Sequence, residues 1–231
     1  MARVELTSPS TYHPFPSGFR LTHLTPFDKL PTEVIRNGPF NLERRMGVPQ
    51  RVGILVEDLY QDQEVWYPYY RLKEAGVHVL FVGTGKAEYK SKFGYPLVPD
   101  IRADKISATT LRGLIVPGGY APDILRRYPA MVRLVKEAHQ RHVVIGAICH
   151  AAWLLCSADI LQGKTVTCFM AIRDDVVHAG AIYVDRSVVR DGNLITSRTP
   201  DDLPDFMRTF LEALHEVSPS TRRSRHMNKP V

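Results

Sequence analysis

Cys149 and His150 are neighbours in the stretch 142–155, HVVIGAICHAAWLL, where an apolar run gives way to small residues. Residues 142–148 read as a buried strand and 151–156 as the start of an apolar helix, which leaves Cys149 in the turn between them. A sharp strand-to-helix turn lifts a nucleophile clear of a sheet, and the unpaired N–H groups of a first helical turn favour a thiolate over a thiol. The chemistry such a position suggests is nucleophilic attack through sulfur. Cys156 and Cys168 lie within apolar segments without a histidine beside them and read as small core hydrophobes.

Two other segments carry groups that such a nucleophile could use. In Pro117-Gly118-Gly119-Tyr120-Ala121-Pro122-Asp123 the paired glycines let the backbone approach a ligand and offer amide N–H groups to an oxyanion, although a turn needing positive φ would use the same residues. The cluster Glu57, Asp58, Gln61, Asp62, Gln63 and Glu64 has an ordinary explanation, a helix start enriched in carboxylates.

The elements that must position these residues alternate from Arg51 onward. RVGILV reads as a strand, 63–75 as a helix stopped by Gly76, VHVLFVG as a strand, and KSKFGYPLVPD as a hairpin or loop. LRGLIVPGG is a further strand and 124–139 one long helix, ahead of the strand that ends at Cys149. Downstream, KTVTCF predicts a strand, IRDDVVHAG a short helix closed by Gly180, AIYVDRSVVRDGNLITS a hairpin turned at Asp191-Gly192, and DDLPDFMRTFLEALHEV a last helix. The alternation predicts an α/β fold, a doubly wound, mostly parallel sheet with helices on both faces. The carboxyl ends of the strands in such a sheet converge on the ligand site, so the three segments are expected to meet.

Composition divides the chain into an extended arm (1–50), an α/β domain (51–217) and a basic, disordered tail (218–231). The arm holds 7 of the 17 prolines and yet is rich in apolar residues, so it is expected to pack on the core or across a subunit interface. Lys/Arg and Asp/Glu balance at 20 each over 51–217, so the net charge of +6 comes from the two ends. No basic, aromatic-interleaved surface is readable, and nucleic acid is not an expected partner. No apolar run approaches the ~20 residues of a membrane span, and no signal-peptide pattern opens the chain. A cytoplasmic protein without disulfides is expected, and without CxxC, HExxH, GxGxxG or P-loop patterns neither metal nor cofactor is.

Taken in order, YQDQEVWYPYYRLKEAG, IVPGGYAPD, GAICHAAWLL, IRDDVVHAGAIYVD and DGNLITSRTPDDLPDFM resemble the ThiJ/PfpI superfamily, in its PfpI-type intracellular peptidase-like branch, over about residues 51–216. The resemblance implies a flavodoxin-like fold similar to class I glutamine amidotransferases. It implies that Cys149 is the elbow nucleophile, His150 its general base, and Asp123 the acid that orients a neighbouring subunit's histidine, with Gly118, Gly119 and Tyr120 around the oxyanion pocket. N–H groups near Gly119 and His150 would form the oxyanion hole. The family's proton-donating glutamate, in a motif like F-E-D, aligns with Tyr60-Gln61-Asp62, so Gln61 is expected to contact the sulfur and to deprive the site of a proton carrier. Glu57 and Glu64 remain as substitutes. The resulting expectation is a homo-oligomeric, cysteine-dependent hydrolase of small amide, short-peptide or carbonyl substrates. The alternatives are glyoxalase- or deglycase-like activity on α-oxoaldehydes, which Gln61 disfavours, and a non-catalytic redox or stress-response protein that uses a reactive Cys149.

Overall fold

A computed structural model describes residues 51–216. The predicted arm at 1–50 and basic tail at 218–231 lie outside the described residues. Apolar runs rich in β-branched residues form the central strands, and the strands in chain order are β1 (Arg51–Leu55), β2 (His78–Gly83), β3 (Tyr89–Lys90), β4 (Pro96–Leu97), β5 (Ile101–Arg102), β6 (Gly113–Val116), β7 (Val144–Ile148), β8 (Thr165–Val166), β9 (Ile182–Tyr183), β10 (Val188–Asp191) and β11 (Leu194–Ser197). The helices are α1 (Asp62–Glu74), α2 (Ala121–Leu125), α3 (Pro129–Gln140), α4 (Ala152–Ser157), α5 (Arg173–His178) and α6 (Leu203–Glu216).

Seven strands make one sheet in the order β10-β11-β7-β6-β1-β2-β5, with β10 antiparallel to β11 and the other pairings parallel. The centre strands β1, β6 and β7 are buried almost throughout, as strands covered on both faces must be. On one face α6 lays Phe206 and Phe210 against Gly113 and Gly146, where a Cβ would come within 2.8 Å of a ring. Helix α1 packs beside α6, while α3 and α4 pack together away from them. The doubly wound α/β fold is therefore present. No helix among the described residues is long and apolar enough to cross a membrane.

Three local expectations are corrected. The single helix expected at 124–139 is two, because Pro129, which fixes its own φ and has no N–H, starts α3 after a turn at 126–128. KTVTCF contributes only the two residues of β8, which leave the main sheet and pair in parallel with β9. The hairpin turned at Asp191-Gly192 is consequently shorter than expected, because Ile182 and Tyr183 belong to that small second sheet.

Candidate active site

The site grows from the three centre strands, whose carboxyl ends lie side by side. After β7 the chain turns at Cys149 with φ 63°, makes one 3₁₀ turn over Cys149–Ala151, and enters α4. A positive φ at a residue with a Cβ is a strained conformation, here held by a buried strand on one side and a buried helix on the other. Cys149 is partly buried, and its Sγ lies 3.2 Å from Nδ1 of His150. The imidazole is packed between Trp153 and Phe169, with ring centroids 5.0 and 4.8 Å away. Burial, then the charge of Lys92, lowers the proton affinity of His150, so the ring is held neutral.

The turn after β6 is fastened to the turn after β1. Tyr60 and Gly119 form an isolated antiparallel bridge, Tyr120 N donates to Leu59 O at 2.9 Å, and Gln61 N donates to Gly118 O at 3.3 Å. Gly119 has φ +75°, and an added Cβ would lie 2.4 Å from Leu59 O, so only glycine fits this crossing. At Gly118 an added Cβ would lie 2.7 Å from Cys149 Cβ, 2.8 Å from Glu64 Oε2 and 2.9 Å from His150 N. Three elements therefore meet around one glycine.

Glu64, which the sequence offered only as a substitute for Gln61, holds the central place. It sits in the first turn of α1, fully buried, and its Oε2 accepts a hydrogen bond from Gly118 N at 2.6 Å. Burial pushes its carboxyl up to about 7, against the opposing pull of the Gly118 N–H, the Cys149 thiol and the charge of Lys92. Glu64 and Cys149 shift each other's proton affinity, yet the second oxygen, Oε1, has no partner in hydrogen-bond geometry. An ionised carboxylate with an orphan oxygen is costly in such a place, and a proton on the carboxyl relieves that cost. The glutamate that acts on the sulfur is thus Glu64, and the expectation that Gln61 holds this position is corrected. Gln61 caps α1 without a side-chain cap, lines the cavity, and buries its Oε1 without a partner.

The expectation of a standing thiolate is also corrected. Burial pushes the Cys149 thiol up, to about 12, with the negative charge of Glu64 as the second cause. The backbone N–H groups of Gly119 and His150 pull the other way by donating to the sulfur. The helical segment behind the turn, the six residues of α4, is too short for its dipole to overcome desolvation. Once Glu64 carries a proton its charge is gone and its O–H becomes a donor to sulfur. One proton shared between carboxyl and thiol is the economical state of the pair.

A cavity of about 420 Å³ opens over the sulfur, lined by Leu59, Gln61, Lys92, Gly119, Tyr120, Cys149, His150, Phe169, Thr199 and Pro200. Gly118 does not line it, because its N–H is spent on Glu64 and its α-carbon faces Cys149, so the predicted pocket role of Gly118 is corrected to one of support. Tyr120 is half-exposed at the rim, edge-on to Trp153. Asp123 lies in α2, ion-paired with Arg127, and makes no hydrogen bond with His150 within the chain. Cys168 is buried as expected, and Cys156, only partly buried, points its sulfur at Asp175 O at 3.8 Å. Among the described residues no group of three or more His, Cys, Asp or Glu side chains is arranged to hold a metal.

Over residues 50–213 the chain matches the model of the DJ-1/PfpI family. A protein of Pyrococcus furiosus named Deglycase PfpI is 36% identical over 155 residues, covering 67% of this chain and 93% of that protein. YraA of Bacillus subtilis, provisionally named a cysteine protease, is 35% identical over 167 residues, covering 71% and 98%. Among solved structures, a two-domain Anabaena variabilis protein with DJ-1/ThiJ/PfpI-like and ferritin-like domains is 39% identical, with a TM-score of 0.71; the match covers 72% of this chain and 48% of that one.

Proposed function

The chain belongs to the DJ-1/PfpI family, and from that premise we propose that it is a cysteine-dependent enzyme acting on small α-oxoaldehydes and their adducts, in the manner of the relative named as a deglycase. One observation carries this reading: a buried carboxyl whose proton affinity is raised to about 7 sits against the Cys149 thiol. That supplies the proton carrier that position 61 does not. Enzymes use such tuned carboxyls as acids and bases near neutral pH.

Transfer of the thiol proton to Glu64 leaves a thiolate steadied by the N–H groups of Gly119 and His150. The sulfur attacks the aldehyde carbon and a C–S bond forms. The carbonyl π pair moves to oxygen, which takes the proton back from Glu64, giving a hemithioacetal. Glu64, again a carboxylate, then removes the proton from that carbon, and the C–H pair forms a C=C bond as the ketone π pair moves to its oxygen. That oxygen takes the hemithioacetal hydroxyl proton, the enediolate collapses to a C=O at the sulfur-bearing carbon, and Glu64 returns its proton to the former ketone carbon, leaving a 2-hydroxy thioester. Water hydrolyses the thioester with the neutral His150 as base, and the product leaves as a 2-hydroxy acid while Cys149 regains its proton.

A second reading is favoured by the 3.2 Å contact between Cys149 Sγ and His150 Nδ1: amide or short-peptide hydrolysis by a Cys–His pair, with Asp123 of a second copy orienting the imidazole in a homo-oligomer. Methylglyoxal consumption and cleavage of fluorogenic peptides, each measured with wild type, Cys149→Ala and Glu64→Gln, separate the two. Loss of methylglyoxal turnover in both variants supports the first reading, and a Glu64→Gln enzyme with full methylglyoxal activity overturns it. Peptide cleavage that needs Cys149 and is indifferent to Glu64→Gln selects the second.

A further inference from the structure

The cavity over Cys149 has a charge that the chemistry above does not use. Of its lining residues, Lys92 alone carries a formal charge, since His150 is held neutral and no carboxylate reaches the wall. Lys92 is exposed in the turn between β3 and β4, and its backbone N–H donates to Tyr60 O at 3.0 Å, which ties that turn to the strand end beside the site. Among the described residues its ammonium forms no ion pair. It lies 4.9 Å from the Phe93 ring centroid, a contact that holds the cation without neutralising it. The field of Lys92 reaches the floor of the pocket, where it acts on both Glu64 and His150.

The remaining walls are largely apolar, with Leu59, Phe169 and Pro200 facing the space above the sulfur. A cavity with one electrophile-seeking sulfur, apolar sides and a single unneutralised cation is complementary to a particular kind of molecule. We propose that Lys92 is an anion subsite that selects carbonyl substrates bearing one carboxylate over neutral ones of the same size. A single point charge without a cluster of further donors suits a monoanion, whereas a phosphate dianion calls for more. The proposal rests on the reading of Cys149 as the reacting group and narrows its substrates to α-oxoaldehydes that also carry one carboxylate. Lys92 is a specificity residue under this proposal, and it takes no part in bond making.

The test reads charge selection at the sulfur without requiring turnover. Iodoacetate and iodoacetamide are nearly the same shape and differ by one negative charge. With either, the thiolate attacks the methylene carbon, the C–S bond forms, and iodide leaves with the C–I pair. The rate ratio of the two reagents at Cys149, followed by mass spectrometry of the intact chain, cancels any change in thiolate fraction that Lys92 causes through Glu64. Peptide mapping of the alkylated chain assigns the modified cysteine, and the partly buried Cys156 serves as an internal reference. In Lys92→Met the iodoacetate-to-iodoacetamide ratio at Cys149 is expected to fall about fivefold, as for one partly solvated charge pair. It falls further in Lys92→Glu, stays within about twofold in Lys92→Arg, and the wild-type preference weakens with added salt. A ratio unchanged in both Lys92→Met and Lys92→Glu overturns the proposal. Charge selection without methylglyoxal turnover discards the proposed activity and leaves the subsite standing, and turnover with an unchanged ratio does the reverse.

Discussion

Two glutamates flank the turn after β1, and both side chains are fully buried, yet their surroundings differ. Glu57 is surrounded by partners: Asp58 N donates to its Oε1 at 3.0 Å, Lys86 Nζ lies 3.1 Å from the same oxygen, and the Thr84 hydroxyl donates to Oε2. Glu64 receives one N–H from Gly118, keeps an orphan oxygen, and sits against a thiol. The first arrangement satisfies a carboxylate and fastens β1 to the segment after β2. The second leaves a carboxylate under-satisfied and so raises its appetite for a proton. Burial is common to both; the supply of donors separates a structural acid from a chemical one.

The most severe way to break this comparison is to remove the proton from one member only. Glu64→Gln keeps shape and the acceptor for Gly118 N–H but carries no exchangeable proton, so methylglyoxal turnover is expected to fall at least about a hundredfold with the fold intact by circular dichroism. In wild type the reactive form is the one-proton state of the Glu64–Cys149 pair. Alkylation of Cys149 by iodoacetamide should therefore rise with pH through about 7, and in Glu64→Gln that limb should vanish from this region.

The next effect is on stability. The carboxyl of Glu64 is raised from 4.5 to about 7 in the fold, so the native state binds its proton more tightly than the unfolded chain does. Its contribution is complete below about pH 4.5 and is lost as pH rises through 7, with an upper bound of about 3 kcal/mol. Urea denaturation between pH 4.5 and 8 should show this loss in wild type and a flatter profile in Glu64→Gln; parallel profiles would contradict it. Glu57→Ala is expected to cost about 2 kcal/mol, since it strands the Asp58 N–H and leaves the Thr84 hydroxyl with Tyr89 as its remaining partner, while turnover at a permissive temperature stays within a fewfold of wild type. A turnover loss as large as that of Glu64→Gln would erase the distinction between the two acids. The smallest effect belongs to Gln61→Glu. With the proton carrier already at Glu64, methylglyoxal turnover should change by less than about threefold, and a large gain would return the role to position 61.

Much of the site is legible in the sequence. The strand–cysteine–helix pattern at 142–155 locates the elbow, and the alternation of strand and helix implies that the turns after β1 and β6 meet it. The failure at Gln61 is one of helical phase. Glu64, Val65, Pro68 and Leu72 are the buried residues of α1 and form one stripe at spacings of one, three and four, so helical periodicity can single out a glutamate on that apolar face. Alignment to a short motif draws attention to position 61 instead. The break between α2 and α3 is also legible, in Pro129. The departure of β8 from the main sheet is not, because two residues of apolar sequence do not specify which neighbours they pair with.

By itself the sequence determined the order of elements, the parallel α/β architecture, and a cysteine at a strand end with a histidine after it, because these depend on local periodicity and turn chemistry. Only the tertiary structure decided which carboxyl meets the sulfur and where the shared proton rests. Glu64 and Cys149 are brought together by the sheet, around a glycine that leaves room for both, and the depth at which they are buried sets their proton affinities. Desolvation is a property of the packed interior, and no stretch of chain carries it before the chain folds.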